Sequence, residues 1–448
     1  MRDEQLGRPV KDQDFLVPGV GHSELRAALV PHGRVEDLVV AGRNVGVRFY
    51  PRALRVTAGI ELAPPRAERS TGPGRHDFEI VADPAVSIEE DMRRRDFTMN
   101  ALARSLDTGE LVDPLGGAED LRAGVLRVVG PTSFRDDGLR IARGLRFVSE
   151  HDLEPDEETR AQMRRWADRI GVVSGERLGA ELARLLLGTH PRKALRLARD
   201  TGTLEYFLPE LVPAIGFDQT SAYHAFTLDE HLFQAVQAGV DDNAPLEVRL
   251  ALLLHDSGKP ESAWRGRDGR LHFYANPQVG KPAHEEIGAR IARAATRRLR
   301  FPADTQARVE RIVAAHMFGD HASAAAPLRA RRFLARHGRE RAFDLVAHKR
   351  ADVRGKHESL RDRAEGELER LRAFEGALWA ELEAGHATQV SELAVDGGDL
   401  IALGFREGPQ LGRALQALLA EAIVDPRHNT RAWLTAAAER VLRKGERA

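Results

Sequence analysis

Two carboxylates stand two residues apart near the amino end, in Lys11-Asp12-Gln13-Asp14-Phe15-Leu16-Val17. On a strand the side chains alternate between faces, so Asp12 and Asp14 would point the same way. Like charges so close repel each other. A divalent cation between them removes that penalty, and hard cations such as Mg²⁺ take oxygen ligands. A pair of such ions activates an attacking hydroxyl and neutralises a pentavalent phosphate. Glu61, in Ile60-Glu61-Leu62, offers a third carboxylate. Alone, Asp-x-Asp is a weak signal that is far more often a solvated strand edge or turn, so its weight comes from its surroundings.

A second constellation lies in the middle of the chain. His255-Asp256 follows the apolar run Leu246–Leu254 and precedes Ser257-Gly258-Lys259-Pro260. An adjacent His-Asp pair at a helix end can ligate one metal. His231, on the preceding helical segment, and Asp352, in Arg350-Ala351-Asp352-Val353, would complete the set. His284 and His316 lie between them and either extend the set or are packed helical histidines. His224 is as readily structural as pocket-lining. The chain has no cysteine, so any metal must rest on His, Asp or Glu. A metal in such a place lowers the pKa of bound water and polarises a phosphate.

Two kinds of scaffold must hold these groups. Leu38-Val39-Val40, Val45–Phe49 and Ile60-Glu61-Leu62 read as short strands punctuated by Gly, Pro and Asn, and Pro64–Arg75 reads as a loop. From about residue 132 strand signals nearly vanish. Segments rich in Ala, Leu, Arg and Glu take over with helical spacing, as in Leu178–Leu187 and Leu246–Leu254. Pro213, Pro245, Pro302, Pro327 and Pro409 fall at expected helix boundaries. The expectation is α+β: a small α/β head followed by an elongated all-helical body.

A length of 448 residues implies roughly three or four modules. Hydrophobic residues make up 42%, no apolar run reaches membrane-span length, and the amino end lacks a signal-peptide layout. The expected compartment is cytoplasmic, with no membrane partner. Net charge is −1, which excludes a uniformly basic nucleic-acid binder. Residues 290–350 nevertheless carry 15 Lys/Arg against 5 Asp/Glu, and residues 351–400 carry 6 against 12. That asymmetry fits either a phosphate-facing surface or solvated helices.

Arg2-Asp3 … Leu6-Gly7-Arg8-Pro9-Val10-Lys11-Asp12-Gln13-Asp14-Phe15 resembles the nucleotide-binding core of class II CCA-adding enzymes and bacterial poly(A) polymerases. Those belong to the polymerase-β-like nucleotidyltransferases. Glu89-Glu90-Asp91 … Arg94-Arg95-Asp96-Phe97-Thr98-Met99-Asn100-Ala101 is similar to their second signature, and Asp113-Pro114-Leu115-Gly116-Gly117 to the next. The family's Gly-Gly-x-Val-Arg-Asp element survives only as Met1-Arg2-Asp3. The expected explanation is a start codon assigned too late, at a Val codon read as Met.

The resemblance implies that Asp12, Asp14 and Glu61 are catalytic, with Asp12 and Asp14 binding Mg²⁺. It implies a nucleotide site made of Arg2, Arg95, Asp96, Asn100, Asp137, Arg140 and Arg143, with Arg94–Asn100 at a strand-to-helix junction and Arg94 as readily a buried ion-pair partner. Phe134-Arg135-Asp136-Asp137-Gly138-Leu139-Arg140 resembles the family's base-reading helix, on which Asp137 and Arg140 would share a face. Ionised Asp only accepts and Arg only donates. Adenine and cytosine each show an amine donor beside a ring-nitrogen acceptor, so the pair is complementary to both. Guanine and uracil show the reverse order. An ordinary surface ion pair is the competing reading.

The order His231, His255-Asp256, Asp352 resembles the HD phosphohydrolase superfamily. It implies a divalent metal such as Mg²⁺, Mn²⁺, Ni²⁺ or Co²⁺ and hydrolysis of phosphate monoesters or 2′,3′-cyclic phosphates. Leu393–Gly412 resembles the family's tRNA-contacting tail, with Gly404, Gly408 and Gly412 serving packing or turns. The expected layout is a head at 1–130, a neck at 131–212, the HD domain at 213–372 and the tail at 373–448. The expected activity is template-independent CCA addition to tRNA from CTP and ATP. Poly(A) polymerase, CC- or A-addition, and an HD hydrolase with an inactive head remain the alternatives.

Overall fold

The structure is a computed structural model that describes all residues except 11–13, 41, 55, 57–58, 71–77, 82–84, 220–225, 268, 319–326, 357–360 and 446–448. Two compact units result: Met1–Phe217 with Arg293–Gln306, and Asp218–Ala292 with Ala307–Ala448.

In the first unit the strands β1 (Asp14–Leu16), β2 (Gly33–Val40), β3 (Arg43–Pro51) and β4 (Ile60–Ala63) form a sheet of order β1-β4-β3-β2. β1 and β4 are parallel, and the other pairs are antiparallel. Alternation sorts the two faces. Val45, Val47 and Phe49 of β3 turn inward, and the helix His22–Leu29 packs there through buried Leu25. Arg48 faces the other way, which is the face that bears the carboxylates. All three expected strands are present and longer than expected. The expected loop Pro64–Arg75 is corrected: Ala67–Ser70 is a strand paired antiparallel to Phe78–Val81. A partner strand supplied by later sequence overrode the local Gly/Pro signal.

The neck is helical. Leu139–His151 buries Leu139, Ala142, Leu145 and Val148 against Gly175–Leu187 and Pro191–Asp200, the spacing of one helix face. Gly144 permits a close crossing, because a Cβ there would lie 2.9 Å from Phe97 and Met163 side-chain carbons. Arg146, 1% exposed, is neutralised by Glu181 and Glu150, each at 2.5 Å.

The second unit packs Leu228–Asp241, Leu246–Leu254 and Arg339–Arg354 against one another. The apolar run Leu246–Leu254 is a buried helix, as expected, and Pro245 is its N-cap. Pro213 departs from expectation by lying inside the 3₁₀ turn Pro209–Ala214. In the tail, Gly397–Ala402, Pro409–Val424 and Arg431–Gly445 enclose Leu400, Phe405, Leu418 and Leu434. Gly404 and Gly408 adopt positive φ of 105° and 118°, which makes them turn glycines. Gly412 is corrected: it lies inside a helix with open space around it, so neither packing nor a turn requires it.

Candidate functional sites

The sheet sets the first constellation. Asp14 and Glu61 are register partners across β1 and β4, so their side chains leave the same face. Arg48 is the register partner of Glu61 on β3 and donates to it from Nε at 3.2 Å and from Nη2 at 2.5 Å. Two carboxylates and a guanidinium thus form a row across three strands. Asp12 lies outside the described residues.

Beside the head's second signature lies a cavity of about 350 Å³, lined by Arg95, Asp96, Asn100, Asp137, Arg140 and Arg143, together with Arg94, Leu139 and Arg177. Asp96 is its buried anchor. Its carboxylate accepts from the Phe97 N–H at 2.8 Å, Asn100 Nδ2 at 2.9 Å and Arg143 Nε at 2.7 Å. Burial alone would raise its pKa. The charge of Arg143 and these hydrogen bonds outweigh that and hold it below the ordinary carboxylate value. A depressed carboxyl adds stability above its unfolded pKa, and the contribution is lost as pH falls through the folded value. Asp96→Asn is therefore expected to destabilise the protein by about 1.5–3 kcal/mol at neutral pH, with the difference from wild type shrinking in acid. Denaturant melts at several pH values check this.

Arg2 reaches the same region. Its Nη1 donates to Asn100 Oδ1 at 3.0 Å, and its guanidinium lies 5.2 Å from the Phe147 ring centre. Arg140 donates to Ser133 Oγ at 2.8 Å and to the Arg94 carbonyl at 2.7 Å, neutral acceptors that fix its plane and leave its charge uncompensated by them. Asp137 accepts from the Leu139 N–H at 3.0 Å and from Arg177 Nη2 at 3.3 Å.

The second constellation is buried in the other unit. His231 Nε2 lies 3.1 Å from Asp352 Oδ1 and 3.8 Å from Asp256 Oδ2. His255 Nε2 lies 3.2 Å from Asp256 Oδ2 and 3.6 Å from Asp352 Oδ1. On the other side of Asp256, Oδ1 lies 3.3 Å from His284 Nε2 and 3.7 Å from His316 Nε2. Two triads of donor atoms result: His231, His255 and Asp352, and Asp256, His284 and His316. All six residues are at least 91% buried.

The residues fit a metal for a reason visible in their outer nitrogens. Nδ1 of His255, His284 and His316 each meets a backbone carbonyl: Leu252 at 2.9 Å, Phe273 at 3.1 Å and Val313 at 2.7 Å. A carbonyl only accepts, so Nδ1 carries the proton and the neutral ring turns its Nε2 lone pair inward. Lone pairs facing carboxylates need a cation between them. Burial lowers the His255 pKa, but Asp256 and Asp352 outweigh it and lift it to about 9. Burial would raise both carboxylates, but Asp256 is held well below its usual range by His255 and Lys259, and Asp352 by Lys349, His231 and His255. A proton on His255 thus takes the place of the cation. That proton must leave when a metal binds, so metal affinity is expected to rise with pH through neutrality and level off above about 9. Titration of Mn²⁺ or Co²⁺ across that pH range checks this.

Three family descriptions match in order: "Poly A polymerase head domain" over residues 1–127, "Probable RNA and SrmB- binding site of polymerase A" over 152–215, and "HD domain" over 221–368. The Multifunctional CCA protein of Acidovorax ebreus (strain TPSY) is 32% identical over 443 residues, 96% of this chain and 95% of that protein. The chain belongs to the multifunctional CCA protein family. The Ectopseudomonas mendocina (strain ymp) member is 32% identical over 370 residues, 80% of this chain and 83% of the relative. With the Neisseria gonorrhoeae (strain NCCP11945) member the match is 35% over 266 residues, 58% of this chain and 61% of the relative. Among solved structures, the Bacillus stearothermophilus CCA-adding enzyme in complex with CTP shares the fold, at a TM-score of 0.67 and 24% identity over 100% of this chain and 92% of that one.

Within this CCA-family chain, two sequence expectations need correction. Arg94–Asn100 do not form a strand-to-helix junction. They connect the helix Ile88–Arg93, started by a Ser87/Glu90 capping box, to the 3₁₀ turn Thr98–Asn100. Asp137 does not share a helix face with Arg140. The helix begins at Leu139, and Asp137 stays extended before it, its side chain bonded to the Leu139 N–H. Asp is favoured in such capping positions, which local spacing did not register. Arg94 is an ion-pair partner of fully buried Asp91, at 2.6 Å. His224 lies outside the described residues.

Two residues were missed. Arg177, on Gly175–Leu187, lines the cavity beside Asp96, and its distance along the chain hid it. His348 is fully buried, its ring 5.0 Å from that of His255 and 5.6 Å from that of His316, with neither nitrogen hydrogen-bonded. It stands one helical turn before Asp352 on Arg339–Arg354, a spacing that places both on one face. That spacing was the available signal.

Proposed function

We propose that this chain adds C and A to the 3′ end of tRNA from CTP and ATP without a template, and that its His-Asp centre hydrolyses phosphate esters at RNA ends. The observation that carries the first activity is the register pairing of Asp14 with Glu61 in a head that also bears the cavity with Asp137 and Arg140. Asp12, Asp14 and Glu61 are the residues that would hold Mg²⁺, which when bound neutralises the phosphate oxygens and acidifies the attacking 3′-hydroxyl. Arg95, Asn100 and Arg143 hold the sugar and phosphates in the cavity. Asp137 accepts the exocyclic amine of cytosine or adenine while Arg140 donates to the adjacent ring nitrogen. A carboxylate has about four lone-pair sites, so Asp137 can keep Arg177 while it reads the base.

Incubation of end-truncated tRNA with each NTP separately tests the first activity. C and A should be incorporated, and U and G rejected. Long A tracts with no C would replace this reading with poly(A) polymerase. Phosphate-ester hydrolysis with no incorporation at all would leave only the His-Asp activity. Asp137→Ala is expected to lower preference for CTP and ATP over UTP and GTP by roughly a hundredfold or more, since the unpaired polar groups that reject the wrong base are lost. Single-nucleotide kcat/KM ratios check it.

For the second activity, His231, His255, Asp256 and Asp352, with His284 and His316, are the residues that would hold the divalent ion. Lys259, whose Nζ lies 2.6 Å from Asp256 Oδ2, brings a fixed positive charge to a phosphate there. A division of the chain into head (1–130), neck (131–212), His-Asp domain (213–372) and tail (373–448) is not required by this reading; it needs only that both sites exist.

A further inference from the structure

We propose that the hairpin beside the His-Asp centre is a nucleobase platform, which seats the terminal base of an RNA 3′ end so that its phosphate enters the metal site. This rests on the hydrolytic reading above and names its substrate class: a base-bearing nucleotide end rather than a small phosphate ester.

The hairpin pairs Trp264–Arg265 with Leu271–His272, and Trp264 is the register partner of His272. Their rings lie 4.7 Å apart between centres. Tyr274 stands edge-on to Trp264 at 5.1 Å and 90°, and Trp264 Nε1 donates to the Tyr274 carbonyl at 3.1 Å. Three aromatic rings are thus fixed against each other outside the core. Tyr274 remains 56% exposed. A large ring held in water by its neighbours is a surface prepared for another flat group.

The platform is built onto the metal centre itself. Phe273, between His272 and Tyr274, offers its carbonyl to the His284 N–H at 2.9 Å and to His284 Nδ1 at 3.1 Å. Its ring centre lies 5.4 Å from Lys259 Nζ, the same ammonium that contacts Asp256. The residue that orients a metal-facing histidine is therefore the immediate neighbour of the exposed tyrosine. Charge completes the case. Between residues 264 and 281 the chain carries Arg265, Arg267, Arg270 and Lys281 against the single carboxylate Asp268. Aromatic rings interleaved with cations are what a single-stranded nucleic acid requires: stacking for bases, positive charge for phosphates. A peptide or a sugar phosphate would use only one half of that surface.

The test uses the full chain with Mn²⁺ and two substrates, cytidine 2′,3′-cyclic phosphate and β-glycerol phosphate, which lacks a base. Tyr274→Ala is expected to lower the ratio of their kcat/KM values by roughly tenfold or more, and Tyr274→Phe to restore it, because stacking needs the ring and not the hydroxyl. An equal effect on both substrates, or none on either, overturns the platform. A second measurement does not depend on turnover. Fluorescence of Trp264, isolated by subtracting the Trp264→Phe variant, is followed while adenosine 3′-monophosphate is added without divalent ion. Quenching that Tyr274→Ala weakens supports the platform. No quenching in the wild type overturns it. Quenching in a protein that hydrolyses neither substrate refutes the hydrolase reading and leaves the platform standing.

Discussion

Replacing Asp14 by alanine is expected to lower CMP and AMP incorporation by roughly a thousandfold or more, about 4 kcal/mol of transition-state stabilisation. Asp14 and Glu61 are register partners on parallel strands, so their oxygens are delivered by backbone pairing and not by flexible side-chain reach. Arg48 already occupies Glu61 from the third strand, so one end of the row is neutralised by a fixed guanidinium. The alanine variant should remain folded, because Asp14 is exposed at the start of β1 and no apolar packing is removed. Hydrolysis at the His-Asp centre should persist, since it belongs to a separate compact unit. Incorporation at the wild-type rate would end the metal reading of this row. Loss of both activities would mean that the two sites are not independent.

What could be read from the sequence divides along a physical line. The two constellations were legible because their residues are rare in the places where they occur: acidic pairs opening an apolar strand, and a His-Asp pair closing an apolar helix. The register that brings Asp14 to Glu61 follows from strand order, which alternation alone does not give. Local spacing misled where a side chain had a better local partner. Asp137 binds the Leu139 N–H and so stands outside the helix it was expected to share. Arg177 and His348 were missed for different reasons. Arg177 joins its site through a distant helix, while His348 is buried among histidines that only the tertiary packing of Arg339–Arg354 assembles. The strand Ala67–Ser70 shows the same limit, because its pairing partner comes later in the chain than its turn signals.

Replacing Asp256 by alanine is the most severe single change expected at the other site. Its carboxylate is 3% exposed and faces His255, His284, His316 and His231, and it also meets Lys259 Nζ at 2.6 Å. It belongs to one donor triad and touches the other, so its loss should empty both. Hydrolysis is expected to fall by roughly a thousandfold or more, and bound metal to disappear from elemental analysis of the purified protein. A stability cost comes with it. Lys259, which also donates to Gln219 Oε1 at 2.7 Å, would lose the carboxylate that neutralises it, and stranding a buried cation costs about 3–5 kcal/mol. The two effects separate in the double variant Asp256→Ala, Lys259→Met. Removing both charges should recover most of the lost stability, because a buried ion pair exchanged for apolar groups is close to neutral. Metal binding and hydrolysis should stay absent, because the inward lone pairs of His255 and His284 then face no carboxylate from Asp256. Wild-type metal content in either variant would show that this carboxylate does not hold the ion.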